Sequence, residues 1–224
     1  MNRDIELPGT MQDKAYQEIK ILILRKELPV AEFLSQRMLA RRVNCTVIPV
    51  REALKRLEND GLIESVPRWG VRIPQDTEAR VRDRYFLRET LEIAAVRRIR
   101  EQRAAAAQEQ LMARAVLCDE SALQPPETGT QRYVEEHFAF HSLVAELSGS
   151  PLLHEAMKRL NLRNLLMTNA LRVWRRGIDR DGSPHQTLVT AMFDADENTA
   201  INAVAAHVRR GLNYELKAMK DREA

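Results

Sequence analysis

The sequence predicts a mainly α-helical protein in two parts, with three short helices and a β-hairpin followed by an all-helical bundle. The chain is rich in Ala, Leu, Arg, Glu and Gln, which favour helix over sheet. Glycine and proline crowd one stretch, residues 61–74, and beyond it apolar residues recur at helical spacing. With 224 residues, 44% of them hydrophobic and 30% charged, the chain suits two packed domains. We place these domains at residues 1–75 and 76–224.

Apolar residues at helical spacing predict three helices in the first domain. The first covers about residues 10–26. Ser35 is the expected N-cap of the second. Thr46 is the expected N-cap of the third, which accommodates Pro49 in its first turn and ends at Gly61. The expected core positions are Tyr16, Ile19, Ile23, Leu24, Met38, Leu39, Val43, Val50, Ala53, Leu54 and Leu57.

Two short β-type runs follow, residues 62–66 and 71–73, with a Pro-Arg-Trp-Gly turn at 67–70 between them. This pattern predicts a β-hairpin. Three helices followed by a hairpin form a winged helix-turn-helix, in which the hairpin is the wing.

The second domain is expected to contain about six helices and no strand. Their predicted ranges are 77–103, 104–117, 134–148, 152–175, 184–193 and 197–220. Residues 125–129 are expected to form a loop because they read Pro-Pro-Glu-Thr-Gly. Ser183 with Gln186, and Asp194 with Glu197, match the capping-box pattern at the start of the last two helices.

Cysteine usage and the chain start limit the class of protein. Cys45 and Cys118 are the two cysteines, and their isolation argues against a disulfide framework or a thiolate metal site. The first residues lack an apolar signal core, and no run of about 18 apolar residues occurs. We therefore expect a cytoplasmic protein in a reducing compartment, with no membrane segment.

Positive charge concentrates in the predicted winged helix-turn-helix. Residues 35–73 contain eight Lys or Arg and four Asp or Glu, so their net charge of +4 exceeds the +3 of the whole chain. Binding to DNA phosphates needs such a local excess. Arg51 is a candidate for a bidentate guanine contact and Thr46 for a base or phosphate contact, because a recognition helix reads bases from its N-terminal turns. Lys55 is a candidate phosphate contact. The alternative is a solvated basic face on an ordinary helix.

Several short motifs occur here in a characteristic order. Leu-Ser-Gln-Arg-Met-Leu-Ala at 34–40, Pro-Val-Arg-Glu-Ala-Leu-Lys-Arg-Leu at 49–57 and Asp-Gly-Leu-Ile at 60–63 resemble the DNA-binding domain of GntR-family regulators. The resemblance implies base and phosphate contacts by Arg37, Thr46 and Arg51, and a wing with Arg68 whose tip near Gly70 enters the minor groove. The chain departs from the family pattern at Val30-Ala31, where Pro-Gly is usual, and at Val47 and Ile48, where Arg and Thr are common.

Histidines give the second domain its strongest chemical pattern. His137 and His141 are four residues apart and share one face of a predicted helix, while His185 and His207 lie on two other helices. Imidazoles from several helices can form a metal site inside a bundle. The alternative for each is a surface histidine or a hydrogen-bonded core histidine.

Residues around these histidines resemble the FCD effector domain of the FadR-like branch of the GntR family. The matching residues are Leu87, Arg88, Leu91, Glu92, Phe140, His141, Leu147, Ser148, Gly149, Ser150, Pro151, His185, Ala191, Asp196, Ala200 and His207. The resemblance implies that His141, His185 and His207 bind a divalent metal. His137 stands in the place of the family's aspartate, where it is expected as a fourth ligand and is otherwise a lost one. An imidazole in place of a carboxylate favours zinc or nickel over magnesium or calcium. Arg88 is a candidate for binding an effector carboxylate, and the alternative is a surface ion pair with Glu92.

These observations predict a homodimeric transcription repressor that binds a pseudo-palindromic double-stranded operator and responds to a small, carboxylate-bearing metabolite. A dimer is expected because one recognition helix reads only a few base pairs. A metal-dependent hydrolase or lyase that uses the four histidines is the alternative from another class. It is disfavoured because no general base and no G-x-S-x-G motif accompany the histidines. A DNA-binding protein without an effector is the third alternative.

Overall fold

The computed structural model describes residues 10–24, 27–75, 77–102, 105–124, 126–160, 184–194 and 196–223. They belong to two compact units, residues 1–75 and 76–224. The predicted fold class is confirmed, because the first unit contains three helices and a hairpin and the described part of the second is helical.

The first unit has a small apolar core between its helices and its hairpin. Its elements are α1 (Met11–Leu24), α2 (Gln36–Arg42), α3 (Val47–Asn59), β1 (Glu64–Val66) and β2 (Gly70–Arg72). Ser35 caps α2 as predicted, since its Oγ accepts a hydrogen bond from the Met38 amide at 3.1 Å. Thr46 occupies the N-cap position of α3, but its side chain makes no capping hydrogen bond. The core contains Tyr16, Ile19, Leu39, Val50, Leu54, Leu57, Leu62, Ile63 and Val71.

The hairpin differs from the prediction at Gly70. β1 and β2 pair antiparallel with Val66 opposite Gly70, so that Gly70 begins a strand and does not belong to the turn. The turn is closed by the Trp69 amide, which donates to the Val66 carbonyl at 3.0 Å. Arg68, at the turn, has a φ of 70°.

Six described helices form the second unit. They are α4 (Glu78–Gln102), α5 (Ala105–Ala122), α6 (Pro126–Leu147), α7 (Pro151–Arg159), α8 (Pro184–Asp194) and α9 (Glu197–Glu223). Helix α6 begins at Pro126, so the predicted loop at 125–129 is wrong over its described residues. Proline at the first helical position costs no hydrogen bond and sets a helical φ, which explains this start. Helix α7 ends at Arg159 with Leu160 as its C-cap, and residues 161–175 of the helix predicted over 152–175 lie outside the described residues.

Two helices begin with caps that the sequence did not indicate. Asp119 of α5 accepts hydrogen bonds from the amides of His185 and Gln186 at 3.2 and 3.1 Å, and so caps α8 from another helix. The predicted partner Ser183 is outside the described residues. Asp196 caps α9, because it accepts from the amides at 198 and 199. The predicted Asp194 cap is wrong, since the carboxylate directly before the helix reaches these amides.

The apolar faces of α4, α5, α6, α8 and α9 enclose a group of buried polar side chains. The apolar lining includes Ala95, Val96, Ile99, Leu111, Phe140, Val144, Leu188, Val189, Met192, Ala200 and Val204. Arg88, Glu92, Asp119, His141 and His185 are buried among these helices. No helix in the described ranges is both long enough and apolar enough to cross a bilayer.

Candidate metal centre and nucleic-acid interface

The four predicted histidines converge in the second unit. Helix α6 contributes His137 and His141, α8 contributes His185, and α9 contributes His207. One donor atom of each imidazole lies within 4.8 Å of the donor atoms of the other three. The fifth histidine, His154, does not belong to this cluster, and its Nε2 lies 3.3 Å from Ser142 Oγ.

Buried carboxylates orient two of the rings. His141 Nδ1 lies 3.1 Å from Glu92 Oε2, and His185 Nδ1 lies 2.6 Å from Asp119 Oδ1. A carboxylate accepts a hydrogen bond from Nδ1–H, so Nε2 is the unprotonated nitrogen and its lone pair faces the inside of the cluster. Imidazoles that bind metals are typically held by such a carboxylate at their second nitrogen.

The other two rings leave polar atoms without partners. Among the described residues, His137 Nδ1 and His207 Nδ1 are buried and make no hydrogen bond. The Nε2 atoms of His137 and His141 approach to 2.7 Å. A buried polar nitrogen without a hydrogen-bond partner lowers the stability of the fold. A purely structural role therefore does not explain why these imidazoles lie so close together.

Burial favours the neutral form of three of these rings. Desolvation lowers the pKa of His137 and His207 well below 6.5, and the charges of neighbouring rings and Arg88 lower it further. Desolvation also lowers the pKa of His141, to about 4, although the Glu92 carboxylate opposes this shift. Neutral imidazole is the form that binds a metal ion, so these rings are ready to bind at neutral pH. The residues therefore fit a divalent ion with a preference for nitrogen donors.

Arg88 lies at the edge of this cluster and is only 2% exposed. Its Nε donates to Glu92 Oε1 at 2.6 Å, and its Nη2 lies 2.8 Å from His141 Nε2. The ion pair with Glu92 is therefore present, but it is buried and not on the surface. Burial raises the pKa of Glu92, yet its contacts with His141 and Arg88 prevail and lower that pKa to about 2.

Sequence reasoning missed two residues beside the cluster. Asp119 orients His185, and the Sγ of Cys118 lies 3.8 Å from His185 Nε2. Both lie on α5, which carries no motif. Their role depends on packing between α5 and α8, which no local pattern reveals.

The first unit presents a basic surface at α2 and at the start of α3. Arg37, Thr46 and Arg51 are all exposed, and the Thr46 side chain is not used as a cap. Lys55 donates to both carboxylate oxygens of Glu52, at 3.0 and 3.1 Å, and Arg51 Nε lies 3.6 Å from the same group. Glu52 therefore offsets part of the positive charge on α3.

Basic residues around this surface differ in their availability. Arg56 is held by α1, because it donates to Asp13 at 2.6 Å and lies 4.3 Å from the centre of the Tyr16 ring. Arg37, Arg41 and Arg68 have no acidic partner within the described parts of the chain. These three guanidinium groups are consequently available to phosphates.

The wing has an exposed tip and a constrained base. Arg68 is exposed, and Trp69 is 67% exposed, its ring centroid 5.3 Å from that of Phe33. Gly70 has a φ of 110°, and a Cβ added there would lie 2.7 Å from the Leu34 carbonyl oxygen. Arg68 is therefore an exposed cation at the tip of the wing, whereas Gly70 is required by the packing of the wing against the residues before α2.

Two family models match the chain. The model for bacterial regulatory proteins of the gntR family matches residues 11–73, and the FCD domain model matches residues 83–210. An HTH-type transcriptional regulator in an unstable DNA locus of Streptomyces ambofaciens is 33% identical over 81 residues. This match covers 36% of the chain and 34% of the relative, so it spans about a third of each protein.

Solved structures share the fold over nearly the whole chain. E. coli McbR/YncC superposes with a TM-score of 0.70 at 17% identity, covering 93% of this chain and 98% of that one. A putative GntR transcriptional regulator from Rhodococcus sp. RHA1 has a TM-score of 0.63 at 18% identity, covering 95% and 99%. At this identity the likeness shows the fold alone.

Proposed function

This chain belongs to the GntR family of bacterial regulatory proteins and carries an FCD domain. We therefore propose that it is a cytoplasmic repressor. We propose further that its operator binding depends on a site where a metal ion helps to bind a small molecule. Its families and structural neighbours are transcription regulators and not enzymes, and the winged helix-turn-helix is its DNA-binding unit. Repression, the metal and the effector class are the parts that we propose.

The observation that carries the effector proposal is the buried four-histidine cluster with its two orienting carboxylates. His137, His141, His185 and His207 would hold one divalent ion, with zinc or nickel preferred because all four donors are imidazole nitrogens. A bound ion supplies a Lewis-acid docking point for an anionic group of the effector. Arg88 adds a buried cation beside it, which favours a carboxylate-bearing metabolite.

The alternative of a metal-dependent hydrolase or lyase is weaker. Glu92 and Asp119, the buried carboxylates at the cluster, both hold the Nδ1 atoms of histidines. A hydrolase needs a base that is free to take a proton from water or substrate. Within the described residues, these carboxylates are engaged in orienting the rings, so the cluster suits binding better than catalysis.

The DNA part of the proposal is a homodimer on a pseudo-palindromic operator, with α3 in the major groove. Arg37, Thr46, Arg51 and Lys55 would contact phosphates and bases, and the wing would bring Arg68 to the minor groove. Helix α3 also exposes an apolar residue, Ile48, in its first turn. Apolar side chains in the major groove contact the thymine methyl group, so we expect thymine beneath Ile48.

The experiment that tests the metal and effector proposal uses the untagged full chain, stripped by chelation and titrated with zinc. His141→Ala should abolish zinc binding, while His154→Ala removes an imidazole outside the cluster and serves as the matched control. Fluorescence anisotropy on DNA from upstream of its own gene then compares zinc-loaded and chelated protein in the presence of small carboxylates. Equal zinc binding by both variants would contradict the metal site, and a carboxylate response without zinc would contradict its role.

Repression is tested separately by transcription in vitro. Adding the protein to a template that carries this upstream region should lower transcript yield, and the Arg51→Ala variant should not. An increase in transcript would show an activator.

A further inference from the structure

We infer that Arg88 occupies the metal-binding lone pair of His141 in the metal-free protein, so that the ion and the guanidinium compete for one nitrogen atom. This inference rests on the metal site proposed above and adds how that site is regulated. Arg88 then weakens metal binding, although it belongs to the same buried hydrogen-bond network as the metal ligands.

The hydrogen bonds fix which atom is contested. His141 Nδ1 faces Glu92 Oε2 at 3.1 Å, and a carboxylate can only accept, so Nδ1 carries the proton. Nε2 is therefore the acceptor, and Arg88 Nη2, a donor only, lies 2.8 Å from it. A neutral imidazole has one such lone pair. It can accept from the guanidinium or bind a cation, but it cannot do both.

His137 adds a second demand on the same nitrogen. Its Nε2 lies 2.7 Å from His141 Nε2, and its Nδ1 has no partner among the described residues. Two imidazole nitrogens repel each other at this distance unless one of them carries a proton. Because His141 Nε2 is the acceptor, the proton belongs to His137 Nε2, which shares the His141 lone pair with Arg88. A cation can bind this lone pair only when both hydrogen bonds are broken.

Glu92 links the two states. It binds Arg88 Nε through Oε1 at 2.6 Å and His141 Nδ1 through Oε2, so both partners remain attached when the Nη2 contact is broken. Arg88 then keeps its ion pair but has an unsatisfied N–H group in a buried site. A buried charged donor without an acceptor is unfavourable, and a carboxylate is its best partner. Metal binding therefore prepares Arg88 for an anionic ligand, and the two should bind with positive cooperativity.

The test compares substitutions at the two ends of one ion pair, using zinc alone as the probe and isothermal titration calorimetry as the readout. Arg88→Gln should tighten zinc binding about tenfold or more, because a charge-assisted competitor is lost. Glu92→Gln should weaken it about 10- to 100-fold, because the orienting carboxylate is lost. A merely structural ion pair predicts that both variants shift zinc affinity in the same direction.

Arg82→Gln is the matched control, since Arg82 lies on the same helix in an exposed ion pair with Glu78 and should leave zinc affinity unchanged. If Arg88→Gln alone does not fold, the comparison of Glu92→Gln with the double variant Arg88→Gln/Glu92→Gln replaces it, because no buried carboxylate is then left unpaired. Zinc binding by the wild type with equal or weaker binding by Arg88→Gln overturns the inference alone. Failure of the wild type to bind zinc overturns the metal site as well.

Discussion

At the level of single residues, Arg68 and Gly70 show how two neighbours in one wing differ in role. Arg68 is an exposed cation at the tip, with no acidic partner among the described residues, whereas Gly70 is held against the Leu34 carbonyl oxygen. The resemblance to GntR regulators implied DNA contacts by Arg68 and by a wing tip near Gly70. The structure places Arg68 at the exposed turn and Gly70 at the first position of β2.

Gly70→Ala is expected to lower the free energy of unfolding by about 1–3 kcal/mol, because a φ of 110° and a Cβ 2.7 Å from the Leu34 oxygen strain any other residue. Urea denaturation followed by circular dichroism measures this change. Arg68→Ala is the control, and it should weaken DNA binding without changing stability. Equal stability of Gly70→Ala and wild type would show that the wing relaxes without cost.

Arg51→Ala is expected to weaken operator binding by roughly 1–3 kcal/mol, because a bidentate guanine contact is lost. The exposed position of Arg51 means that its removal should leave folding unchanged. Lys55→Ala should weaken binding to all sequences more evenly. Anisotropy titrations with operator and scrambled DNA distinguish the two, and an unchanged affinity for Arg51→Ala would remove α3 from the recognition role.

Ile48 should give specificity through a methyl group. Replacing the thymines of the operator with uracil removes only that methyl, so wild-type affinity should fall at the position beneath Ile48. Ile48→Ala should bind the thymine and uracil operators equally. A uracil effect that persists in Ile48→Ala would assign the methyl contact to another residue.

At the level of elements, periodicity predicted the helices well and their beginnings less well. The start of α6 was missed because Pro126 and Gly129 were read as breakers, although proline is compatible with the first helical turn. The cap of α8 was missed because Asp119 lies on another helix. The resemblance to the FCD domain pointed to the four histidines, with support from the spacing of His137 and His141. Glu92 and Asp119 as their orienting partners depend on how α4 and α5 pack.

The convergence of α6, α8 and α9 on buried imidazoles predicts a pH dependence of metal-free stability. Unfolded histidine has a pKa near 6.5, whereas burial lowers the pKa of His141 to about 4 and that of His137 and His207 well below 6.5. As pH falls below 6.5 the unfolded chain takes up protons that the folded protein refuses, so stability is lost from pH 6.5 towards pH 4. Each of these histidines contributes about 1.4 kcal/mol per pH unit to this loss of stability in that window.

Urea denaturation in chelator at pH 7.5 and pH 5 measures this loss, and His141→Gln should reduce it because one such imidazole is gone. His154→Gln is the control and should retain the full dependence. Equal stability of the wild type at the two pH values would mean that the cluster opens to solvent.

At the level of the whole molecule, operator recognition predicts two chains in solution. Light scattering of the full chain at micromolar concentration should give twice the 25.7 kDa chain mass, because a single recognition helix reads too few base pairs for useful specificity. Half-sites moved apart by five base pairs, which turns one of them to the opposite side of the duplex, should lose affinity. A monomer that binds a single half-site as tightly as the complete operator would contradict the dimer.

His137, in the place of the aspartate that the family resemblance implies, would change the charge balance of the proposed effector site. A divalent ion and Arg88 would together contribute three positive charges, and Glu92 and Asp119 contribute two negative ones, since an imidazole that binds a metal ion is neutral. One positive charge is left uncompensated in a region of low polarity. A ligand with a single negative charge neutralises it, whereas a dianion leaves an excess of the opposite sign. In the site that we propose, the imidazole at position 137 thus favours a monocarboxylate as the effector.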